Sequence, residues 1–192
     1  VKRGGTDSRQ AVGTIYGYGD NVTVKDLTID GMTVDYTAAV YSSSNIYHAF
    51  GALAGFVGDG FTAENVTVKN VTMNLNLLGE EGNASISAHL LPAECIGGLI
   101  GYAKGSVTLT GCTVENMTVN VTDINDSGGT QFLIGGLIGY ADALYTQLQG
   151  DTEYSYYNDY NGNGSVSITG CTVTGMTVDK NGATGASVGG FL

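Results

Sequence analysis

The chain has 192 residues, 31 of them glycine, and carries 7 Lys and Arg against 18 Asp and Glu, a net charge of −11. This charge repels nucleic-acid phosphates and anionic lipid head groups, so we expect no nucleic-acid partner and no direct membrane insertion. The sequence contains no run of about 20 apolar residues, and residues 1–20 lack the basic-then-apolar pattern that is typical of a signal peptide. With 42% hydrophobic residues it has enough apolar side chains for the core of one domain.

A glycine-rich box of the type IGGLIGY recurs along the whole chain, at residues 12–18, 50–56, 96–102, 134–140 and, incompletely, 188–192. The first glycines of the boxes are 38, 46, 38 and 54 residues apart, which indicates a 38-residue unit with insertions of 8 and 16. The predicted repeats are 12–49, 50–95, 96–133, 134–187 and a partial 188–192, with an insert at 142–164.

A second box follows each complete glycine box and places an apolar pair every five residues. In the third repeat the pairs are Val107 and Leu109, Cys112 and Val114, and Met117 and Val119. Residues two apart in a strand point the same way, so each pair marks one inward-facing strand. Gly, Asn and Asp stand between the pairs, where a tight bend needs a positive φ. The pattern predicts three short strands per repeat and a fourth in the glycine box.

Equivalent strands of successive repeats pack best directly above one another, in parallel and in register. The sequence therefore predicts an all-β fold, a right-handed parallel β-solenoid (β-helix) of about four to five coils with loop insertions, forming one segment over residues 1–192. The predicted inward ladders are Leu27/Val66/Cys112/Cys171, Ile29/Val68/Val114/Val173 and Met32/Val71/Met117/Met176. Because the units at both ends are incomplete, we expect a fragment of a longer chain that continues at both ends.

The run IGGLIGYAKGSVTLTGCTVENMTV at 96–119 resembles the GLUG-motif repeat of bacterial proteins, and the resemblance extends over residues 12–192. It implies a repeat region of adhesin-like cell-surface proteins or of secreted proteins of the IgA-peptidase type. The motif belongs to the scaffold and identifies no ligand. The chain departs from the motif in its Thr-rich, five-spaced strands and its long inserts.

The insert is the most distinctive segment for recognition because five tyrosines lie close together in it. Tyrosines on loops provide large contact areas for sugars or proteins at low entropic cost, although they also serve to cover the side of a coil. The candidate ligand-binding residues are Tyr145, Tyr154, Tyr156, Tyr157 and Tyr160.

The same insert contains the start of a calcium-loop pattern, with Asp159, Asn161 and Asn163 at alternate positions before Gly164. Gly170 stands where the acidic twelfth ligand belongs, so an Asn/Gly-rich turn is the competing interpretation. Calcium is the one metal that the sequence suggests, and no other cofactor is expected.

Cysteine, histidine, threonine and asparagine side chains elsewhere in the chain also carry chemical groups of interest. Cys112 and Cys171 occupy equivalent positions, which suits either a disulfide or two buried thiols. His48 and His89 stand alone in inserts, without a carboxylate at triad spacing, so no catalytic residue is predicted. Outward Thr columns suggest ice binding, but Thr is also the residue that half-exposed strands prefer, and the N-x-S/T sequons follow from the abundance of Asn and Thr.

These observations together predict a noncatalytic extracellular or cell-surface scaffold that binds a host or bacterial surface glycan or protein through the Tyr-rich insert. The alternative is a carbohydrate-active β-helix enzyme, or the spacer of a secreted bacterial protease. An acidic cluster about 5 to 10 Å across on an outward face would favour the enzyme.

Overall fold

A computed structural model of the chain describes residues 2–4, 9–40, 47–79, 94–123, 132–141, 164–181 and 186–192. Within these ranges the chain forms twenty strands and no helix. In chain order the strands are β1 Lys2–Gly4, β2 Arg9–Val12, β3 Tyr16–Gly19, β4 Thr23–Lys25, β5 Thr28–Asp30, β6 Thr33–Val40, β7 Tyr47–Gly51, β8 Ala54–Val57, β9 Phe61–Glu64, β10 Thr67–Gly79, β11 Glu94–Gly97, β12 Ile100–Ala103, β13 Val107–Thr110, β14 Thr113–Asp123, β15 Phe132–Gly135, β16 Ile138–Ala141, β17 Val166–Thr169, β18 Thr172–Thr174, β19 Thr177–Asn181 and β20 Ala186–Gly189.

The strands form four sheets, and every pairing among the described strands is parallel. Sheet 1 has the order β1-β6-β10-β14-β18, with β5 also paired to β10 and β19 to β14. Sheet 2 has the order β2-β7-β11-β15-β20, sheet 3 the order β3-β8-β12-β16, and sheet 4 the order β4-β9-β13-β17. Neighbours in each sheet are equivalent strands of consecutive repeats. The predicted all-β, parallel arrangement is therefore confirmed.

The predicted side-chain ladders lie in register. Val68 pairs with Ile29 on one side and Val114 on the other, and Val114 pairs with Val173. Val71 pairs with Met117 in the same way. Like residues meet because successive repeats have the same spacing between their apolar pairs, so one register satisfies every ladder at once.

The bends between apolar pairs adopt the positive φ that their residue types predicted. One column of bend positions consists of Gly31 (φ 85°), Asn70 (55°), Asn116 (54°) and Gly175 (65°). An equivalent column contains Asp26, Asn65, Gly111 and Gly170, with φ between 53° and 62°. Only Gly, Asn and Asp occupy these positions, because other side chains are strained in this conformation.

Strand boundaries differ from the prediction in two places. In the second and third repeats two predicted strands join into the single strands β10 and β14, because Asn70 and Asn116 bend the backbone and the same register continues on both sides of the bend. The glycine box, predicted to hold one strand, holds two: in the third repeat β11 and β12 are separated by Gly98 and Leu99.

Glycines in the box allow two backbones to approach each other. A Cβ on Gly101 would clash with the backbone N of Phe50 and lie 2.7 Å from the carbonyl carbon of Ala49, both in β7. Gly55 and Gly139 meet backbone atoms of β2 and β11 in the same way. Glycine is therefore required here by close packing between sheets 2 and 3.

All four sheets contribute side chains to one apolar core. In the second and third repeats the inward residues are fully buried, for example Phe61, Leu109 and Met117. The inward residues of β17, β18 and β19, such as Val173 and Met176, are only half-buried, because each of these three strands pairs with a described strand on one side alone. The described residues include no helix of the length and apolarity that a membrane span requires.

Candidate functional site

The repeats differ most in the length of the connection between sheets 3 and 4. In the first three repeats it has three residues, at 20–22, 58–60 and 104–106, whereas 24 residues, 142–165, join β16 to β17. Strand pairing is unchanged on both sides of this longer connection: Ala103 pairs with Ala141, and Val107 pairs with Val166. The core therefore tolerates a long insertion at this corner without a shift of register.

The returning end of the long connection lies directly on the corner of the preceding repeat. A Cβ on Gly164 would clash with the backbone of Gly105, and the backbone N–H of Val107 donates to the carbonyl of Ser165 (2.8 Å). Gly164, the last residue of the predicted insert, thus already belongs to the stacked corner.

The equivalent connections of the third and second repeats, 104–106 and 58–60, are also joined by a hydrogen bond: the backbone N–H of Ser106 donates to Asp59 Oδ1 (2.8 Å). This hydrogen bond holds the pKa of Asp59 below its usual range. The carboxylate therefore pins the third-repeat corner to the second-repeat corner. The long connection returns onto a support that is fixed by hydrogen bonds.

All the predicted recognition and calcium residues lie outside the described residues: Tyr145, Tyr154, Tyr156, Tyr157, Tyr160, Asp159, Asn161 and Asn163. The recognition and calcium assignments therefore stay predictions. In the part of the chain that the structure describes, no three His, Cys, Asp or Glu side chains are grouped so as to hold a metal ion.

An aromatic column runs along sheet 3 and ends beside the long connection. It consists of Tyr18, Phe56, Tyr102 and Tyr140, the last residues of the four glycine boxes. Successive ring centroids are 5.3, 4.8 and 5.2 Å apart. The exposed fraction is 61% for Tyr18 and 4% for Tyr102.

Stacking in this column uses the ring faces against one another, so the inner rings present no face to a sugar. Tyr102 also packs on Ala49 and Cys95 of sheet 2 in a second apolar cluster, with Phe56 and Tyr140 beside it. The column therefore stiffens the join between sheets 2 and 3. Tyr140 lies two residues before the long connection, so this stiffened region is also its base.

A chain of three polar side chains crosses the otherwise apolar core between sheets 1 and 2. His48 Nδ1 lies 2.6 Å from Glu94 Oε1, and the Tyr36 hydroxyl lies 3.1 Å from His48 Nε2. The exposed fractions of Tyr36, His48 and Glu94 are 1%, 4% and 1%. When Glu94 is ionised it only accepts hydrogen bonds, so a neutral His48 donates from Nδ1 and accepts from Tyr36 at Nε2.

Burial raises the pKa of Glu94, because the charged form loses its hydration, while the hydrogen bond and charge of His48 act in the opposite direction. Among the described residues no group donates a hydrogen bond to Glu94 Oε2. The order phenol, imidazole, carboxylate resembles that of a catalytic relay. At these exposures, however, a substrate does not reach the imidazole, and the arrangement acts as a polar tie between strands.

Sequence reasoning missed this pair because His48 and Glu94 are 46 residues apart and His48 was assigned to an insert. The structure instead places His48 in β7, in register with Glu94 of β11. Both residues stand three positions before the first glycine of their boxes, so counting back from each box would have found them. His89 lies outside the described residues.

Charged corner residues of neighbouring repeats form ion pairs. Lys25 Nζ lies 2.5 Å from Glu64 Oε2, and Lys69 Nζ lies 3.2 Å from Asp30 Oδ2. The hydrogen bond with Glu64 raises the pKa of Lys25, and that from the Asn70 amide lowers the pKa of Asp30. These exposed pairs neutralise charge between neighbouring corners and form no acidic cluster of the kind that a glycosidase uses.

No protein-family model, no curated protein and no solved structure matches the chain.

Proposed function

We propose that the chain is a right-handed parallel β-solenoid of the GLUG-like, adhesin-like kind, and that it acts outside the cell as a noncatalytic scaffold for display. In this proposal the segment 142–163 binds a surface glycan or protein, and the repeats hold it in place. The observation that carries the proposal is the unchanged register of β16 and β17 on either side of a 24-residue connection.

A rigid frame with one long connection is the usual basis of loop recognition, because the frame bears the folding energy and the loop is then free to vary. Two features make the frame rigid here. The core side chains of the second and third repeats are buried, and the stacked rings of the aromatic column stiffen the base of the connection. A ligand contacting the connection would therefore not disturb the core.

The chemistry of the segment suggests the ligand class. Five tyrosines supply flat apolar faces and hydroxyls, which suit the faces of sugar rings. The net charge of −11 disfavours strongly anionic ligands such as sulfated glycans. In this proposal Asp159, Asn161 and Asn163 supply oxygen ligands for calcium. Ligand binding should therefore be measured both with calcium and with a calcium chelator.

The test is a glycan array probed with the whole chain and with a variant in which Lys-Gly-Ser, the 104–106 connection, replaces residues 142–165. The shortened variant restores the connection that the third repeat already uses, so we expect it to fold with the same circular dichroism spectrum. Binding is expected to disappear.

A matched control shortens the segment 80–93 instead, which joins sheet 1 to sheet 2 on another side of the repeat. This control is expected to keep full binding. Equal binding by the whole chain and the 142–165 variant would remove the long connection as the recognition site, and the absence of any glycan signal from the whole chain would remove glycans as the ligand.

A further inference from the structure

Two of the three cysteines are neighbours in the core. Cys112 precedes β14 and Cys171 precedes β18, and these strands pair with Thr113 opposite Thr172. The backbone N–H of Cys112 donates to Cys171 Sγ (3.3 Å), and the backbone N–H of Thr172 donates to the carbonyl of Cys112 (2.9 Å). The two residues therefore occupy equivalent places one repeat apart, with the sulfur of one against the backbone of the other.

This placement suits a disulfide. Neighbouring strands lie about 4.8 Å apart, and disulfides join residues whose Cα atoms are about 4.4–6.8 Å apart. Each thiol is held by a carbonyl two residues earlier, Cys112 by Thr110 and Cys171 by Thr169, both at 3.6 Å. The two side chains consequently leave their strands in the same way and point to the same interior.

The two sulfurs differ in access, which sets the order of chemistry. Cys112 is fully buried, whereas Cys171 is half-buried. Burial also raises the pKa of the Cys112 thiol, so its thiolate is scarcer. A reagent therefore meets Cys171 first.

We propose that Cys112 and Cys171 form a redox-controlled disulfide between the third and fourth repeats when the protein meets a small-molecule disulfide. The Cys171 thiolate attacks the S–S bond of the oxidant and expels one small thiolate, which takes up a proton. The Cys112 thiolate then attacks the Cys171 sulfur of the mixed disulfide and expels the second. Two protein thiols are oxidised to one disulfide, and the oxidant is reduced to two thiols.

The bond would close a covalent ring over residues 112–171, which contains the whole long connection 142–165. Oxidation would thus fasten the strands β17, β18 and β19 of the fourth repeat, whose inward side chains are half-buried, to the buried third repeat. For a ring of this length we expect the melting temperature to rise by about 5–15 °C. This inference does not depend on what the connection binds.

The test incubates the whole chain with oxidised glutathione and measures intact mass and peptide maps without reduction. The expected product has lost two hydrogens, contains a linked pair of peptides bearing Cys112 and Cys171, keeps Cys95 as a thiol and melts at a higher temperature. A dithiol reductant is expected to reverse all of these changes.

Matched variants come from the repeats themselves. Cys112→Val copies Val66 of the same ladder and Cys95→Ala copies Ala49 of its own column, so both are expected to fold. Cys95→Ala should still gain the disulfide, whereas Cys112→Val should stop at a glutathione adduct on Cys171. Three intact thiols in the wild-type chain, a lasting adduct on its Cys171, or a bond between two chains would overturn the proposal.

Discussion

Replacing His48 with leucine leaves the Glu94 carboxyl buried without its hydrogen-bonded partner. In the native chain Glu94 is 1% exposed and its Oε1 lies 2.6 Å from His48 Nδ1. Among the described residues, Oε2 has no hydrogen-bond donor to replace the lost contact. The carboxyl must then remain charged at a high desolvation cost or take up a proton.

The loss of unfolding free energy in His48→Leu depends on whether Glu94 stays charged or takes up a proton. Removing one partner of a buried charged pair typically costs about 3–5 kcal/mol, and uptake of a proton by Glu94 keeps the cost toward the lower end. For a chain of this length that corresponds to a fall in melting temperature of about 6–20 °C. A double variant, His48→Leu with Glu94→Leu, removes the buried charge altogether and is expected to lie within about 2 kcal/mol of the native chain.

An apolar side chain already fits at this position, because Phe132 of the next repeat is in register with Glu94 and is fully buried. The four chains of this double-mutant cycle are unfolded in urea at pH 7, and their free energies of unfolding are compared. Two outcomes would contradict a stabilising interaction between His48 and Glu94. One is a loss of under about 1 kcal/mol of unfolding free energy in His48→Leu alone. The other is a loss in the double variant as large as the sum of the losses in the two single variants.

Three further predictions use the same unfolding measurement. Because burial raises the pKa of Glu94, the folded chain binds this proton more tightly than the unfolded chain does. Its free energy of unfolding should therefore fall as pH rises from about 4.5 toward the folded-state pKa. Glu94→Gln should remove this dependence of the free energy of unfolding on pH. The same pH profile in the variant and the native chain would show that Glu94 is not its cause. Gly101→Ala places a Cβ against the backbone of β7 and should destabilise the chain by more than about 2 kcal/mol, whereas Gly190→Ala, with nothing within 4 Å, should cost little. Met117→Ala leaves a cavity at a fully buried position and should lower the free energy of unfolding by about 2–5 kcal/mol. Met176→Ala, at a half-buried position of the same ladder, should lower it clearly less. Equal losses in the two variants would contradict the difference in burial.

The sequence alone determined the parallel pairing, the ladders and the bend columns. The repeat predicts that Val68 pairs with Val114, because it brings equivalent residues together by translation, and one register then serves the whole chain. The positive φ of Asn70 and Asn116 was foreseen for a local reason, since few residue types tolerate that conformation.

Tertiary structure decided how many extra residues the predicted insert 142–164 accounts for. The 54-residue spacing of the last two glycine boxes indicated 16 additional residues, but such a spacing reports only a sum. The connection 142–165 is in fact 21 residues longer than its equivalent 104–106, and the fourth repeat is shorter between sheets 1 and 2, where four residues, 182–185, join β19 to β20. Compensating changes of length are invisible to a spacing and become visible only when strands are paired.

Tertiary structure also decided which residues meet across the core. The hydrogen bond between Tyr36 and His48 joins sheets 1 and 2, and the close approach of Gly101 to Phe50 joins the backbones of sheets 2 and 3. Translation from one repeat to the next predicts neighbours within a sheet. It does not predict contacts between sheets, because these depend on the angle and distance at which one sheet packs against another.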